Sequence, residues 1–256
     1  MSRNSIFLYG RNSVLERLKA QPESIKKIFL QNNFAAPEIE KLIKEKNVSA
    51  EYVPAEKLFR IKQGKDLQGI VAEAEQYNYA SFYDLFNPAG AGLPASPKAP
   101  SSGPTLIFLD RINDPQNLGS IIRTAACLGN FAVVIPRHNA CEVTETVLHV
   151  ASGGENYVPV SLVPNITQAV IAAKKQGFWI MGAVLEKTAE DLTKVSLPFP
   201  LGLVLGAESG GIRFGVQKHL DFKVQIPMRG AALSFNVATA CAIFCYEAAR
   251  QRELTR

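Results

Sequence analysis

The sequence predicts an α/β protein of two units, and three observations predict it. Apolar strand-like runs alternate with helical periods through most of the 256 residues. The C-terminal runs are apolar at consecutive positions, as expected of parallel strands covered on both faces. A stretch rich in Pro, Ala, Gly and Ser, NPAGAGLPASPKAPSSGPT over 87–105, divides the chain. We therefore expect a first domain over 1–80, a linker over 81–105 and a second domain over 106–256.

In the first unit, Val14, Leu15 and Leu18 follow a helical period, Lys27 to Leu30 reads as a strand, and Ile39, Leu42 and Ile43 mark another helix. Gly69-Ile-Val-Ala supplies a last short strand. Residues 1–76 hold 13 Lys and Arg against 10 Asp and Glu, a balance too even to mark an RNA binder. The second unit alternates more regularly. Strands are expected at Leu106–Leu109, Ala132–Ile135, Val158–Leu162, Trp179–Val184, Leu203–Leu205 and Phe222–Gln225. Helices are expected at Leu118–Leu128, near Thr144–Val150, at Ile166–Gln176 and from Asn236 to Arg250.

Composition sets limits on function. Hydrophobic residues form 47% of the chain and charged ones 20%, enough for a packed core and unlike a disordered segment. A net charge of +5 is compatible with a polyanionic partner without requiring one. Cys127, Cys141, Cys241 and Cys245 form no CxxC pair, and His138, His149 and His219 are scattered, so we expect free thiols and no metal site. The apolar run Ile6–Tyr9 is too short for a signal core or a membrane span, and a cytoplasmic protein is expected.

Ligands of open α/β sheets sit beyond the carboxyl ends of the strands, so the loops there are the places to look for chemistry. Three stand out. The first, Asp110-Arg-Ile-Asn-Asp-Pro-Gln-Asn-Leu-Gly-Ser-Ile-Ile-Arg, leads into a helix beginning near Asn117, which would serve as its cap, and places Arg123 on an otherwise apolar helix. The second, Leu203-Val-Leu-Gly-Ala-Glu-Ser-Gly-Gly-Ile, runs a buried strand into a Gly-rich turn carrying Glu208. It lacks both GxGxxG spacing and a P-loop lysine. The third, Ile226-Pro-Met-Arg-Gly-Ala-Ala-Leu-Ser-Phe-Asn, sets Ser234 and Asn236 at the entrance to the final helix, where either side chain suits a cap.

Taken together, DPQNLGSIIRTA, LVLGAESGGI and IPMRGAALSFNVATA resemble, in order, the three motifs of the SpoU (TrmH-like) RNA ribose 2′-O-methyltransferases of the SPOUT class. Tyr9-Gly-Arg-Asn-Ser-Val-Leu-Glu and Leu67-Gln-Gly-Ile-Val-Ala resemble that family's L30e-like substrate-binding domain. The resemblance implies a C-terminal parallel-sheet domain with a deep trefoil knot and a homodimer whose site is completed across the interface. It implies S-adenosyl-L-methionine as cofactor and structured RNA as partner, with a guanosine of 23S rRNA, as in the RlmB-like branch, ahead of tRNA. A non-catalytic RNA-binding assembly factor on the same fold is the other reading.

Position by position, the resemblance makes Asn117, Arg123, Glu208, Ser234 and Asn236 the polar site residues. Gly206, Ile226 and Phe235 become the cofactor contacts. Phe235 stands where the family usually has Leu, and Ser209 where it usually has Gly. The family nominates Arg123 to help remove the hydroxyl proton. Guanidinium groups release protons poorly, so binding a phosphate and stabilising a developing alkoxide suit Arg123 better.

Overall fold

The computed structural model describes residues 5–64, 66–86, 103–231 and 233–254. Most of the Pro- and Ala-rich linker run lies outside the described residues.

The first unit builds a four-stranded sheet from β1 (Ser5–Tyr9), β2 (Ile25–Gln31), β3 (Ala50–Val53) and β4 (Ile70–Glu75) in the order β1-β4-β2-β3. β4 is antiparallel to both of its neighbours, and β2 and β3 are parallel. Among the described residues, three α-helices accompany the sheet, α1 (Arg11–Ala20), α2 (Pro37–Glu45) and α3 (Ala55–Ile61). β1, β3 and α3 are additions to the expected elements. In β3, AEYV buries only Val53, and in α3 only Leu58 is buried, so neither carries the apolar period by which such elements are recognised.

The second unit is a seven-stranded, all-parallel sheet. Its strands are β5 (Thr105–Asp110), β6 (Phe131–Pro136), β7 (Val160–Val163), β8 (Trp179–Ala183), β9 (Glu190–Asp191), β10 (Leu201–Gly206) and β11 (Phe222–Gln225). They stand in the order β7-β6-β5-β10-β8-β11-β9. Because side chains alternate across a strand, the apolar runs serve two cores. Leu106 and Phe108 of β5 enter one cluster with Val134, Val204 and Val170, while Ile107 and Leu109 enter the other with Val133, Leu203 and Ile121. The first face is covered by α6 (Ile166–Lys175) and α7 (Phe214–Gln217). The opposite face is covered by α4 (Pro115–Leu128), α5 (Glu145–Ala151) and α8 (Val237–Leu254), with α4 packed on both α5 and α8.

The helix after β5 starts two residues before Asn117. Pro115 occupies its first turn, where a missing N–H costs nothing, and the Asp114 carboxylate caps it by accepting from Gln116 N at 2.9 Å. Asn117 is therefore free of the capping task expected of it. Residues 79–86, which straddle the boundary expected between the first domain and the linker, lie against the second unit. Ala80 N donates to Val160 O at 2.9 Å, and Phe82 and Phe86 meet Phe108 and Phe178 edge-on or tilted. Among the described residues, no helix is long and apolar enough to cross a membrane.

Candidate functional site

Parallel pairing aligns the strand ends, and Gly206 at the end of β10 is in register with Asp110 at the end of β5. The three loops singled out in the sequence emerge beside one another as a result. Gly206 must be a glycine for steric reasons, because an added Cβ would lie 2.0 Å from Gly211 C and 2.2 Å from Ile212 N. The chain after β10 folds back onto the strand end, closed by Gly211 N donating to Ala207 O at 2.8 Å.

Asp110 secures the far side of that loop. It is fully buried and accepts from Arg213 N at 2.8 Å and from Arg213 Nε and Nη2 at 2.7 Å each. One carboxylate thus holds both the backbone and the planar guanidinium at the start of α7. Asp110 and Arg213 were not among the expected site residues. They are 103 positions apart, and only a buried acidic residue closing an apolar strand hinted at the pairing.

A cleft of about 520 Å³ opens beside this loop. Gly206, Glu208, Ile226, Ser234 and Phe235, all expected at the site, line it, together with Leu185, Met228 and Phe244, which sequence reasoning missed. Its size is that of a small-molecule site, and its wall combines apolar side chains, strand-end backbone and two carboxylates, Glu208 and the Glu186 that pairs with Lys223.

At the cleft, Asn236 Nδ2 donates to Glu208 Oε1 at 2.8 Å and to Asn117 Oδ1 at 2.9 Å, and Asn117 Nδ2 donates to Glu208 Oε1 at 3.2 Å. One residue from each loop closes this triangle. Asn236 also caps α8, its Oδ1 accepting from Ala238 N at 2.9 Å, so the cap and the site use opposite ends of one amide. The fixed helix terminus therefore orients the Nδ2 group.

Arg123 stands apart from this cluster. Six residues beyond Asn117 on α4, it lies about 9 Å further along the axis and roughly 120° around it. Its side chain is exposed, with Nη1 donating to Ser152 Oγ at 3.3 Å, and it lines a separate groove with Asn12, Glu16, Cys127, Gly153 and Tyr157. A single chain thus gathers seven of the eight expected residues at one cleft and leaves the eighth on another face.

Residues 104–246 match the family model of the SpoU rRNA methylases, more than half of the chain. The chain belongs to the SpoU rRNA methylase family. Residues 7–80 match the model described as RNA 2′-O ribose methyltransferase substrate binding, so the small first unit is the SpoU substrate-binding domain. Among SpoU relatives, the 23S rRNA (guanosine-2′-O-)-methyltransferase RlmB of Coxiella burnetii is 34% identical over 250 residues, covering 96% of each chain. RlmB of Nitrosomonas europaea is 32% identical over 252 residues, covering 97% of this chain and 92% of that protein. The SpoU methyltransferase AviRb of Streptomyces viridochromogenes, solved in complex with AdoMet, shares the fold. Its TM-score is 0.76 at 20% identity, over 98% of this chain and 91% of that one.

Proposed function

We propose that this SpoU protein transfers a methyl group from S-adenosyl-L-methionine to a ribose 2′-hydroxyl of structured RNA, at a guanosine of 23S rRNA. The observation that carries the reading is the meeting of Asn117, Glu208 and Asn236, from three separate strand ends, at one cleft of cofactor size. The RlmB relatives, aligned over nearly the whole chain, support the choice of guanosine and rRNA, and work on ribosomal RNA suits a cytoplasmic protein.

The cleft fits the cofactor. The strand-end backbone at Gly206 lines the cleft, Ile226 and Phe235 offer apolar surface to an adenine, and Glu208 offers a carboxylate to a cationic group. When bound, the cofactor supplies a methyl group on a positively charged sulfur, a reaction that needs no metal ion. The work of the chain is then to place a hydroxyl oxygen in line and to stabilise the charge it develops. Two amide donors, from Asn117 and Asn236, orient Glu208 at the cleft wall. Arg123 keeps most of its donors free for an RNA phosphate and the developing oxygen anion. Ser234 lies at the cleft, where its hydroxyl can relay the ribose proton onward to solvent or to an RNA phosphate oxygen.

The reading includes a homodimer, supported by the separation of Arg123 from its own cleft, since a second copy can present Arg123 to the cleft of the first. It also includes the trefoil threading of the segment after β10, which the fold-back of 207–212 onto the strand end supports. The test is to incubate the protein with labelled S-adenosylmethionine and unmodified 23S rRNA or tRNA, then map the product. Label on a 23S guanosine ribose is expected, and folded protein that labels neither RNA would sink the reading.

A further inference from the structure

The substrate-binding domain touches the second unit where Arg123 is held. Ser152, whose Oγ accepts from Arg123, ends α5 in the left-handed region at φ 53°, and Gly153 follows at φ 90°. The turn from Ser152 to Tyr157 is wedged between two helices. A Cβ on Gly153 would lie 2.4 Å from Glu16 Cβ on α1, and one on Gly154 would lie 3.1 Å from Arg123 Cα on α4. Glycines therefore let α1 and α4 grip the turn from opposite sides.

Polar contacts tie the turn to α1. Arg17 Nη2 pairs with Glu155 Oε1 at 3.3 Å, with side-chain exposures of 8% and 0%. Tyr157 OH donates to Glu16 Oε2 at 2.5 Å, and burial together with the Glu16 carboxylate pushes the phenol up to about 12, so the hydroxyl stays a donor. Within the turn, Asn156 Nδ2 donates to Gly153 O at 2.8 Å and to Glu155 Oε1 at 3.2 Å. A buried ion pair adds little net stability against apolar packing, but it penalises any other register of the two surfaces.

We propose that the substrate-binding domain does more than tether RNA: through α1 and the 152–157 turn it sets the position of the Arg123 guanidinium, with Tyr157, Glu155 and Ser152 as positioning residues. This rests on the role given to Arg123 above. Displacement of α1 carries the turn with it, and Ser152 passes the displacement to Arg123. Catalytic groups tolerate little of this, a misplacement of about 1 Å costing up to about a hundredfold.

The test compares Tyr157→Phe, which removes one oxygen atom, with Ser152→Ala and the double variant. Tyr157→Phe is expected to lower kcat about tenfold at saturating RNA, with S-adenosylmethionine affinity and Tm unchanged. The double variant is expected to be no slower than Ser152→Ala, because both act along one route. A rise in KM for RNA alone, no effect, or losses that multiply would overturn the proposal. Hydrogen exchange on protein without RNA separates it from the proposed reaction. Protection lost jointly by α1 and the 152–157 amides in Tyr157→Phe supports the coupling, and loss confined to one segment overturns it. Wild-type protein that transfers no methyl group to RNA would sink the function and leave the exchange result to decide the coupling.

Discussion

Gly206→Ala probes the cleft most directly. The added methyl would stand 2.0 Å from Gly211 C, 2.2 Å from Ile212 N and 2.3 Å from Gly211 O, where ordinary contact begins near 3.4 Å. Every clashing atom is backbone, so no side chain can swing aside, and the 207–212 segment must retreat by roughly 1 Å or more. Its two anchors resist, since Gly211 N is bonded to Ala207 O and the start of α7 to buried Asp110. Overpacking of this kind costs about 1–3 kcal/mol, a fall in Tm of about 3–10 °C for a chain of this size. The retreat also shifts Glu208 away from Asn117 and Asn236, so S-adenosylmethionine affinity should fall at least about tenfold, or ~1.4 kcal/mol. Titration calorimetry and thermal melts read both quantities. Gly215→Ala is the control, because its Cβ would meet only Thr167 Oγ1 at 3.9 Å. Cofactor affinity within about twofold of wild type and an unmoved Tm in Gly206→Ala would refute the steric argument.

The other predictions concern groups around this loop and the cores. Asp110→Ala removes a fully buried carboxylate, but Arg213 is 39% exposed and water recovers part of the loss. Destabilisation of about 2 kcal/mol is therefore expected in urea unfolding, below the 3–5 of a wholly buried pair. Arg123→Lys keeps the charge and loses the planar fork, so kcat should fall about a hundredfold, and near-wild-type turnover would remove the case for a fork-specific role. Cys241 and Cys245 are buried with sulfurs 3.6 Å apart, and hydrogen bonding to Cys241 and burial push the Cys245 thiol well up. Both should resist alkylation until the protein unfolds, as mass spectrometry of labelled peptides can show. Burial raises the Glu155 carboxyl against the opposing pull of Arg17, so the native state holds this proton to higher pH than the unfolded chain does. Stability from this group therefore falls as pH rises from about 4.5 through the raised native value, and Glu155→Gln should flatten that slope in urea unfolding across pH 4–8.

The sheet of the second unit was legible because its strands are buried on both faces. FAVVIP and TLIFLD are buried at every position, and the six strands expected there fall within two residues of the observed ones at every end. Short, half-exposed β3 and two-residue β9 carry no comparable pattern. The meeting of Asn117, Glu208 and Asn236 was legible through parallel topology, which brings strand ends together whatever their separation in the chain. The joint between the units was hidden for a physical reason. A run rich in Pro and Gly reads as separation, and nothing in its composition reports that Arg17 and Glu155, 138 residues apart, meet in a buried pair.

The placement of Arg123 changes what the first motif means. The resemblance places Asn117 and Arg123 together in the first motif, yet six residues of helix turn them to different faces. Asn117 joins the cleft of its own chain, and Arg123 joins a groove walled by the substrate-binding domain. A helix used on two faces connects two sites rigidly, because α4 is packed along its buried side by α5 and α8. If the reaction needs both groups on one RNA nucleotide, the cleft of one copy must face the groove of another. In the proposed homodimer, a mixed dimer of Arg123→Ala and Glu208→Ala chains retains one intact composite site, so activity restored on mixing two inactive variants is the expected outcome, and no restoration would count against the shared site.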